Sequence, residues 1–197
     1  TQMKTTEDIF RINAEYYSNL FQLVAKCGII DFNTFEIDSQ NLDSIYISTE
    51  VRAAKDFQEM FEWLKQYDAF PCLYRWEIVS PAILYPNMVE TIKMRIKEIS
   101  KHSSIQTPRI VKCSYPKDNT LYVGKSENIV DRIMKHLGYH QQRDKHGLHL
   151  YDLVKEMDYH IIFNLHIYVF PQECKPIMEL FERSLAEVHP TLVGTHN

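Results

Sequence analysis

Residues 119–138 constrain the fold more than any other stretch, because they predict a strand, a tight turn and a helix in direct succession. The strand covers residues 119–123, where β-branched and aromatic residues follow a turn rich in Pro, Asp and Asn. Gly124 ends the strand. Apolar residues then recur at helical spacing through residues 129–137, and Gly138 is a typical residue at a helix end. We therefore expect a sheet packed against helices.

The predicted helix carries Arg132 and His136 one turn apart, so both are expected to project from the same exposed side. Two cationic or potentially cationic groups on one face repel each other unless an anion lies between them, and a phosphate would supply it. A solvated helix face is the simpler alternative. A nucleotide-binding loop at Gly124-Lys125-Ser126 is not favoured, because the earlier glycine that such a loop needs is replaced by Asn119.

The formal net charge of −4 is unevenly distributed along the 197 residues. Residues 1–70 hold six Lys/Arg against twelve Asp/Glu, a net charge of −6. Residues 71–146 hold thirteen against seven, a net charge of +6, and residues 147–197 hold three against seven, a net charge of −4. Positive charge is thus concentrated around the predicted strand and helix, as contact with phosphate requires.

A helix is predicted to follow Pro176, with an apolar stripe of five residues: Ile177, Leu180, Phe181, Leu185 and Val188. Three carboxylates lie outside this stripe. They are Glu179, Glu182 and Glu187. Taken alone, each of them is typical of a solvated helix surface.

Taken together, these segments resemble the GIY-YIG nucleases. The resemblance rests on residues 122–129, Arg132, His136, residues 182–185 and residues 189–197, and it covers the chain from about residue 70 to its end. The second half of the family motif corresponds to Tyr122-Val123-Gly124, with Val in place of Ile. The resemblance implies an α+β fold with a small, mainly antiparallel three-stranded sheet flanked by helices.

The first tyrosine of the family motif is a departure from the pattern. Its usual position, about a dozen residues before the second, falls here on residues 109–111, which contain no tyrosine. Residues 71–78 have the expected order of turn, apolar residue, tyrosine and strand, so Tyr74 is the preferred candidate. Val111 is the alternative register, and Tyr115 is a more distant one. With Tyr74, a helix and a strand must be inserted around residues 80–115.

The resemblance also implies a reaction, which is the hydrolysis of DNA by in-line attack of water with one divalent cation, Mg²⁺ or Mn²⁺. It selects Glu182 as the metal ligand and Arg132 as the group that stabilises charge on the phosphate. Tyr74 or Tyr122 would accept the proton of the attacking water. Three further residues are expected to orient groups or stabilise charge at the catalytic centre, namely Lys125, His136 and Asn197. Lys125, Arg143 and Lys145 are expected to contact DNA.

Outside this region, we expect an N-terminal helical region over residues 1–69 and the nuclease-like domain over residues 70–197. Residues 31–47 are expected to form irregular strands or an extended loop, and residues 109–113 a strand paired with residues 121–123.

No stretch approaches the roughly 18 apolar residues of a membrane span, no signal sequence opens the chain, and the four cysteines form no C-x-x-C pair. We therefore expect a cytoplasmic protein without a zinc site. The resemblance implies double-stranded DNA as the substrate, and the N-terminal helices and the insertion after Tyr74 indicate restriction-type sequence selectivity, with a possible homodimer. The alternative is a DNA-binding protein that keeps the fold and has lost catalysis.

Overall fold

The computed structural model describes residues 6–42, 51–81, 86–102, 105–111, 119–140 and 147–194. Six α-helices and four strands lie in these segments, with short 3₁₀ helices at Ser39–Asn41, Val51–Ala53 and Gln172–Ile177. The helices are α1 (Thr6–Cys27), α2 (Gln58–Gln66), α3 (Pro86–His102), α4 (Ile129–Leu137), α5 (Leu150–Val154) and α6 (Met178–Val188). The strands are β1 (Asp31–Asp38), β2 (Cys72–Ser80), β3 (Thr120–Ser126) and β4 (Ile162–Val169).

The strands form one antiparallel sheet in the order β1-β4-β2-β3. The α+β prediction is confirmed, whereas the prediction of three strands is wrong. The additional strand is β1, which pairs with β4 along its whole length, from Asp31 opposite Val169 to Asp38 opposite Ile162. As an edge strand, β1 buries only Ile37, so its sequence lacks the continuous apolar face of an inner strand. The N-terminal region thus supplies a strand to the sheet as well as two helices.

The predicted pairing of residues 109–113 with residues 121–123 is also wrong for residues 109–111, and residues 112 and 113 lie outside the described residues. The backbone N–H of Val111 donates to the carbonyl of Leu192 (3.2 Å), and the N–H of Leu192 donates to the carbonyl of Thr120 (3.1 Å). The segment around Leu192 and Val193 therefore lies between residues 109–111 and β3, and Val193 donates to Leu121. Both of these C-terminal residues are apolar and buried, which favours their place beside β3.

The largest buried cluster lies on one face of the sheet. Alternate residues of β2 point into it, including Tyr74 and Trp76, and the apolar sides of α2, α3 and α4 pack against them. The opposite face of β2 at Leu73 is covered by a smaller cluster that includes Leu20 of α1 and Met178 of α6. Strand β2 has a neighbouring strand on each side and helices packed on each face, so its side chains are held in fixed positions.

Helix α1 is the least buried of the longer helices in the described segments. Leu20 is its only buried residue with a described side chain, and Ile9, Ile12 and Tyr16 remain exposed. None of the helices in the described segments is both long and apolar enough to cross a membrane.

Candidate active site

Two tyrosines from neighbouring strands meet at the centre of the candidate site. Tyr74 of β2 lies opposite Gly124 of β3, and Trp76 lies opposite Tyr122, so the two phenol rings share one face of the sheet. Their centroids are 6.1 Å apart with an angle of 25° between the ring planes. A Cβ atom at position 124 would lie 2.6 Å from Cζ of Tyr74 and 2.7 Å from Cε1 of Tyr122. The glycine is therefore required for both rings to occupy this position.

Helix α4 brings a guanidinium and an imidazole to the same phenols. Nε of Arg132 donates to Oη of Tyr74 (2.7 Å), and its Nη2 donates to Oη of Tyr122 (3.3 Å). Nε2 of His136 lies 2.9 Å from Oη of Tyr74. The structure thus joins residues of β2, β3 and α4 that the sequence analysis assigned to one site.

His136 is fully buried, so the prediction that it shares an exposed helix face with Arg132 is wrong. The physical reason is that the chain returns over α4 after the helix ends. The backbone N–H of Leu148 donates to Nδ1 of His136 (3.1 Å), and Gly147 packs against the carbonyl of Lys135 so closely that a Cβ would not fit. Helical periodicity in α4 contains no signal for a cover supplied by a later segment.

The hydrogen bond from Leu148 fixes the protonation of the imidazole. Because Nδ1 accepts a hydrogen bond from a backbone N–H, the neutral ring carries its proton on Nε2 and donates a hydrogen bond from this N–H to Oη of Tyr74. Burial, reinforced by the charge of Arg132, lowers the pKa of His136 well below its ordinary value. The ring is therefore neutral near pH 7, and Oη of Tyr74 accepts two N–H hydrogen bonds.

The electrostatics of the two central groups differ. Burial raises the pKa of the Tyr74 phenol well above its ordinary value, and the negative form of Tyr122 adds to the effect, whereas Arg132 lowers that pKa. Burial by itself would lower the pKa of Arg132, but the oxygens of Tyr74 and Tyr122 outweigh it and raise that pKa. Arg132 is consequently a permanent, fixed positive charge, and Tyr74 retains its proton in the absence of further positive charge.

Helix α6 supplies the carboxylate that the resemblance selected. Its buried residues are Met178, Glu182 and Ala186, whereas Leu180 and Val188 are exposed, so the predicted apolar stripe is partly wrong. The side chain of Glu182 is only 10% exposed, and its Oε2 lies 3.4 Å from Nζ of Lys125. Its charge also raises the pKa of Tyr74. A carboxylate therefore lies within electrostatic reach of the central phenol.

The other two carboxylates of α6 are not placed in the same way. Glu179 has a side chain that is 58% exposed, and it pairs with Arg183 (2.7 Å) as well as with Lys125 (3.7 Å). The hydrogen bond from Arg183 lowers the pKa of Glu179. Glu187 is exposed. Of the three candidates, Glu182 alone is buried.

The donor set limits how a metal ion could be held. The described residues contain no group of three or more His, Cys, Asp or Glu side chains in metal-binding geometry. Mg²⁺ often binds through one or two carboxylates and completes its coordination with water and substrate phosphates. Glu182, a largely buried carboxylate whose charge reaches Tyr74, fits this mode, whereas an all-protein metal cage does not fit these residues.

A cleft of about 430 Å³ lies between the turn that joins β3 to α4 and the start of α6. Lys125, Ser126 and Asn128 line one wall, and Lys175 and Met178 line the other. Lys125 links this cleft to Glu182, because its Nζ lies 3.4 Å from Oε2 of that residue.

Several predicted residues fall outside this assembly. Asn197, Arg143, Lys145 and Tyr115 lie outside the described residues. Val111, the alternative first-motif position, is buried beside Leu192 rather than beside the phenols. Of the described candidates for the first motif, the structure brings Tyr74 to Tyr122.

Two contributors to the site carry no signal in the sequence that predicts them. The close approach of Gly124 to both phenols follows from strand register, which only the pairing of β2 with β3 establishes. The backbone amide of Leu148 carries no side-chain signal at all.

Comparisons with protein-family models, characterised proteins and solved structures gave no significant match.

Proposed function

We propose that the chain is a metal-dependent DNA endonuclease that hydrolyses phosphodiester bonds by in-line attack of water. The observation that supports this proposal most strongly is the environment of Tyr74. Its Oη accepts hydrogen bonds from Arg132 and His136, and the charge of Glu182 raises its pKa. A fixed positive charge, a phenol and a carboxylate are the groups needed to bind and cleave a phosphate ester. The resemblance to the GIY-YIG nucleases points to the same chemistry.

Arg132 is the proposed electrostatic catalyst. The Tyr74 and Tyr122 oxygens orient its guanidinium, so little reorganisation is needed when negative charge grows on the phosphoryl oxygens. The loss of one such preorganised donor typically reduces the rate by about 10²–10³-fold. We assign Lys125 a supporting role, because its ammonium group lies between the cleft and Glu182 and can contact a phosphate of the bound strand.

Tyr74 is the proposed acceptor of the proton from the attacking water. Its two N–H donors stabilise a phenolate, whereas burial and the charge of Glu182 oppose one. Neutralisation of the Glu182 charge would therefore lower the pKa of Tyr74 towards the range in which it can act as a base. Tyr122 shares the Arg132 guanidinium and is the second candidate for this role.

Glu182 is the residue that would hold the divalent cation, Mg²⁺ or Mn²⁺, in its proposed site. When bound, such an ion supplies positive charge to the phosphate and to the leaving oxygen. Lys125 would exchange its contact with Glu182 for one with the substrate. Double-stranded DNA, restriction-type sequence selectivity and a cytoplasmic location complete the proposal, and the positive charge of residues 71–146 favours a nucleic-acid substrate.

A catalytically inactive DNA-binding protein is the second candidate. Two observations favour it, namely the raised pKa of Tyr74 and the position of Lys125, whose ammonium group already occupies the neighbourhood of the only buried α6 carboxylate. Under this alternative the same positive charges bind DNA, but no proton acceptor forms.

Incubation of supercoiled plasmid DNA with the purified protein, in Mg²⁺ or in EDTA, separates the two functions. The endonuclease proposal predicts nicking in Mg²⁺ only, with the loss of nicking in Glu182→Gln. Glu187→Gln is the matched control, because Glu187 lies on the same helix and is exposed. DNA binding without nicking in either condition would support the inactive protein, and equal nicking by the two variants would refute the role of Glu182.

A further inference from the structure

Helix α1 presents an apolar surface that the described part of the chain leaves largely uncovered, with Phe21 alone of its exposed aromatic residues in edge contact with Phe181 of α6. Six of its large apolar residues are exposed, and Phe10 is the most accessible at 69%. The others are Ile9, Ile12, Tyr16, Tyr17 and Phe21. Monomeric proteins rarely expose contiguous apolar patches of more than a few hundred Å², and larger ones mark interaction surfaces.

Part of this surface is a regular seam. Phe10, Ala14, Tyr17 and Phe21 follow one another at spacings of four, three and four residues, which is the heptad spacing of two packed helices. Ala14, Tyr17 and Phe21 also line a shallow groove of about 570 Å³. Two aromatic residues of the groove thus stand among smaller ones, Ala14, Ser18 and Ala25, which leaves room for side chains from another helix.

The seam is complementary to itself when two copies run antiparallel. With Phe10 opposite Phe21 of a second copy, Ala14 lies opposite the second copy's Tyr17, so a small residue meets a large one at both central positions. The helix ends support the same direction. The first turn is acidic at Glu7 and Asp8, and the last turn is basic at Lys26, so antiparallel packing brings opposite charges near each other.

The charges of α1 argue against two other classes of partner. Thr6–Cys27 contains three acidic residues and two basic ones, a net charge of −1. Helices that bind membrane surfaces carry a basic polar face, and nucleic-acid surfaces require positive charge. We propose that α1 is the interface of a homodimer, in which the Phe10–Ala14–Tyr17–Phe21 seam packs antiparallel against the same seam of a second copy.

This proposal does not depend on the endonuclease proposal, because association is measured without DNA or metal. Sedimentation velocity of the full chain across a wide range of concentrations is expected to show a reversible monomer–dimer equilibrium. Phe10→Glu introduces two carboxylates into the interface and should raise the dissociation constant by about 100-fold or more. Met94→Glu is the matched control, because Met94 is a similarly exposed apolar residue on α3, outside the seam, and should leave the equilibrium unchanged.

A second measurement tests the direction of the helices. Ala14→Cys and Tyr17→Cys variants, in a Cys27→Ser background, are oxidised separately and as a mixture. Antiparallel packing predicts a disulfide chiefly in the mixture, between position 14 of one copy and position 17 of the other. A monomer at every concentration up to about 0.1 mM would overturn the proposal. So would equal weakening by Phe10→Glu and Met94→Glu, binding to lipid vesicles in place of dimer formation, or cross-linking of each variant with itself alone.

Discussion

Gly124→Ala is the substitution that most sharply tests the packing at the centre of the site. The added methyl group would lie 2.6 Å from Cζ of Tyr74 and 2.7 Å from Cε1 of Tyr122, where ordinary carbon contacts are about 3.5–4.0 Å. Both rings would have to move by roughly 1 Å to restore such contacts. Because position 124 does not have a positive φ, the cost is steric rather than conformational.

The displacement also disrupts hydrogen bonds. Oη of Tyr74 lies 2.7 Å from Nε of Arg132 and 2.9 Å from Nε2 of His136, so a shift of this size removes one or both contacts. Overpacking typically costs about 1–3 kcal/mol, and loss of a hydrogen bond to a charged group about 1.5–3 kcal/mol. The free energy of unfolding should therefore fall by roughly 2.5–6 kcal/mol, which corresponds to a decrease in Tm of roughly 5–24 °C for a chain of this length.

Thermal and urea unfolding measure this change, and Gly28→Ala provides the comparison. Gly28 has a φ of +68°, and a Cβ at this position would meet only open space, so alanine there adds backbone strain without crowding and should cost roughly 1–2 kcal/mol. The proposed endonuclease activity should fall with Gly124→Ala and persist with Gly28→Ala. A Gly124→Ala protein that is as stable as the wild type would refute the described contact between the strands and the phenols.

Three further predictions concern protonation and metal binding. Burial depresses the folded-state pKa of His136, so the unfolded chain takes up a proton on this residue first as the pH falls below about 6.5. The free energy of unfolding should therefore decrease with falling pH in that range. His136→Gln should reduce the slope of the free energy of unfolding against pH by up to about 1.4 kcal/mol per pH unit, as urea unfolding from about pH 7 to pH 5 can measure. An unchanged slope would mean that His136 is accessible to protons in the folded state. Mn²⁺ should raise the Tm of the wild type and of Glu187→Gln, and should have no such effect on Glu182→Gln; an equal shift in all three would place the ion elsewhere. Burial raises the pKa of Cys72 to about 12, so a thiol reagent at about pH 8 should modify Cys72 only after unfolding, as mass spectrometry of the labelled protein can check.

Local patterns predicted the elements that carry their own signals. Helix α4 runs from Ile129 to Leu137 and ends at Gly138, whose φ of +96° is the left-handed conformation expected at a helix end. Strand β3 likewise overlaps the stretch that β-branched and aromatic residues indicated, but the prediction that Gly124 ends it is wrong, because the strand continues to Ser126. These elements are encoded by spacing over a few residues, which a single sequence displays directly.

Features that depend on distant segments could not be predicted in this way. The burial of His136 results from the return of the chain at Leu148, and the exclusion of residues 109–111 from β3 results from the C-terminal residues Leu192 and Val193. Strand β1 is an edge strand with one buried residue, and its sequence therefore shows little of the apolar alternation from which a strand is predicted. In each case the deciding contact joins residues more than ten positions apart, and nothing in the local pattern specifies the partner.

The burial of Glu182 on α6 could not be predicted from the local pattern either. Periodicity assigned Leu180 and Val188 to the core and left Glu182 outside it, whereas the structure exposes the first two and buries the carboxylate. An isolated glutamate is a costly residue to bury, so apolar patterning places it in solvent. The nearby ammonium group of Lys125 reduces that cost.

The rate of plasmid nicking by Arg132→Lys, compared with the wild type at saturating protein and Mg²⁺, tests the central proposal most directly. Lysine keeps a positive charge but cannot donate to Tyr74 and Tyr122 at once in the planar geometry of the guanidinium. The proposal predicts Mg²⁺-dependent nicking by the wild type and a decrease of about 100-fold or more in the variant, with DNA binding retained. Equal nicking rates in the two proteins would contradict it.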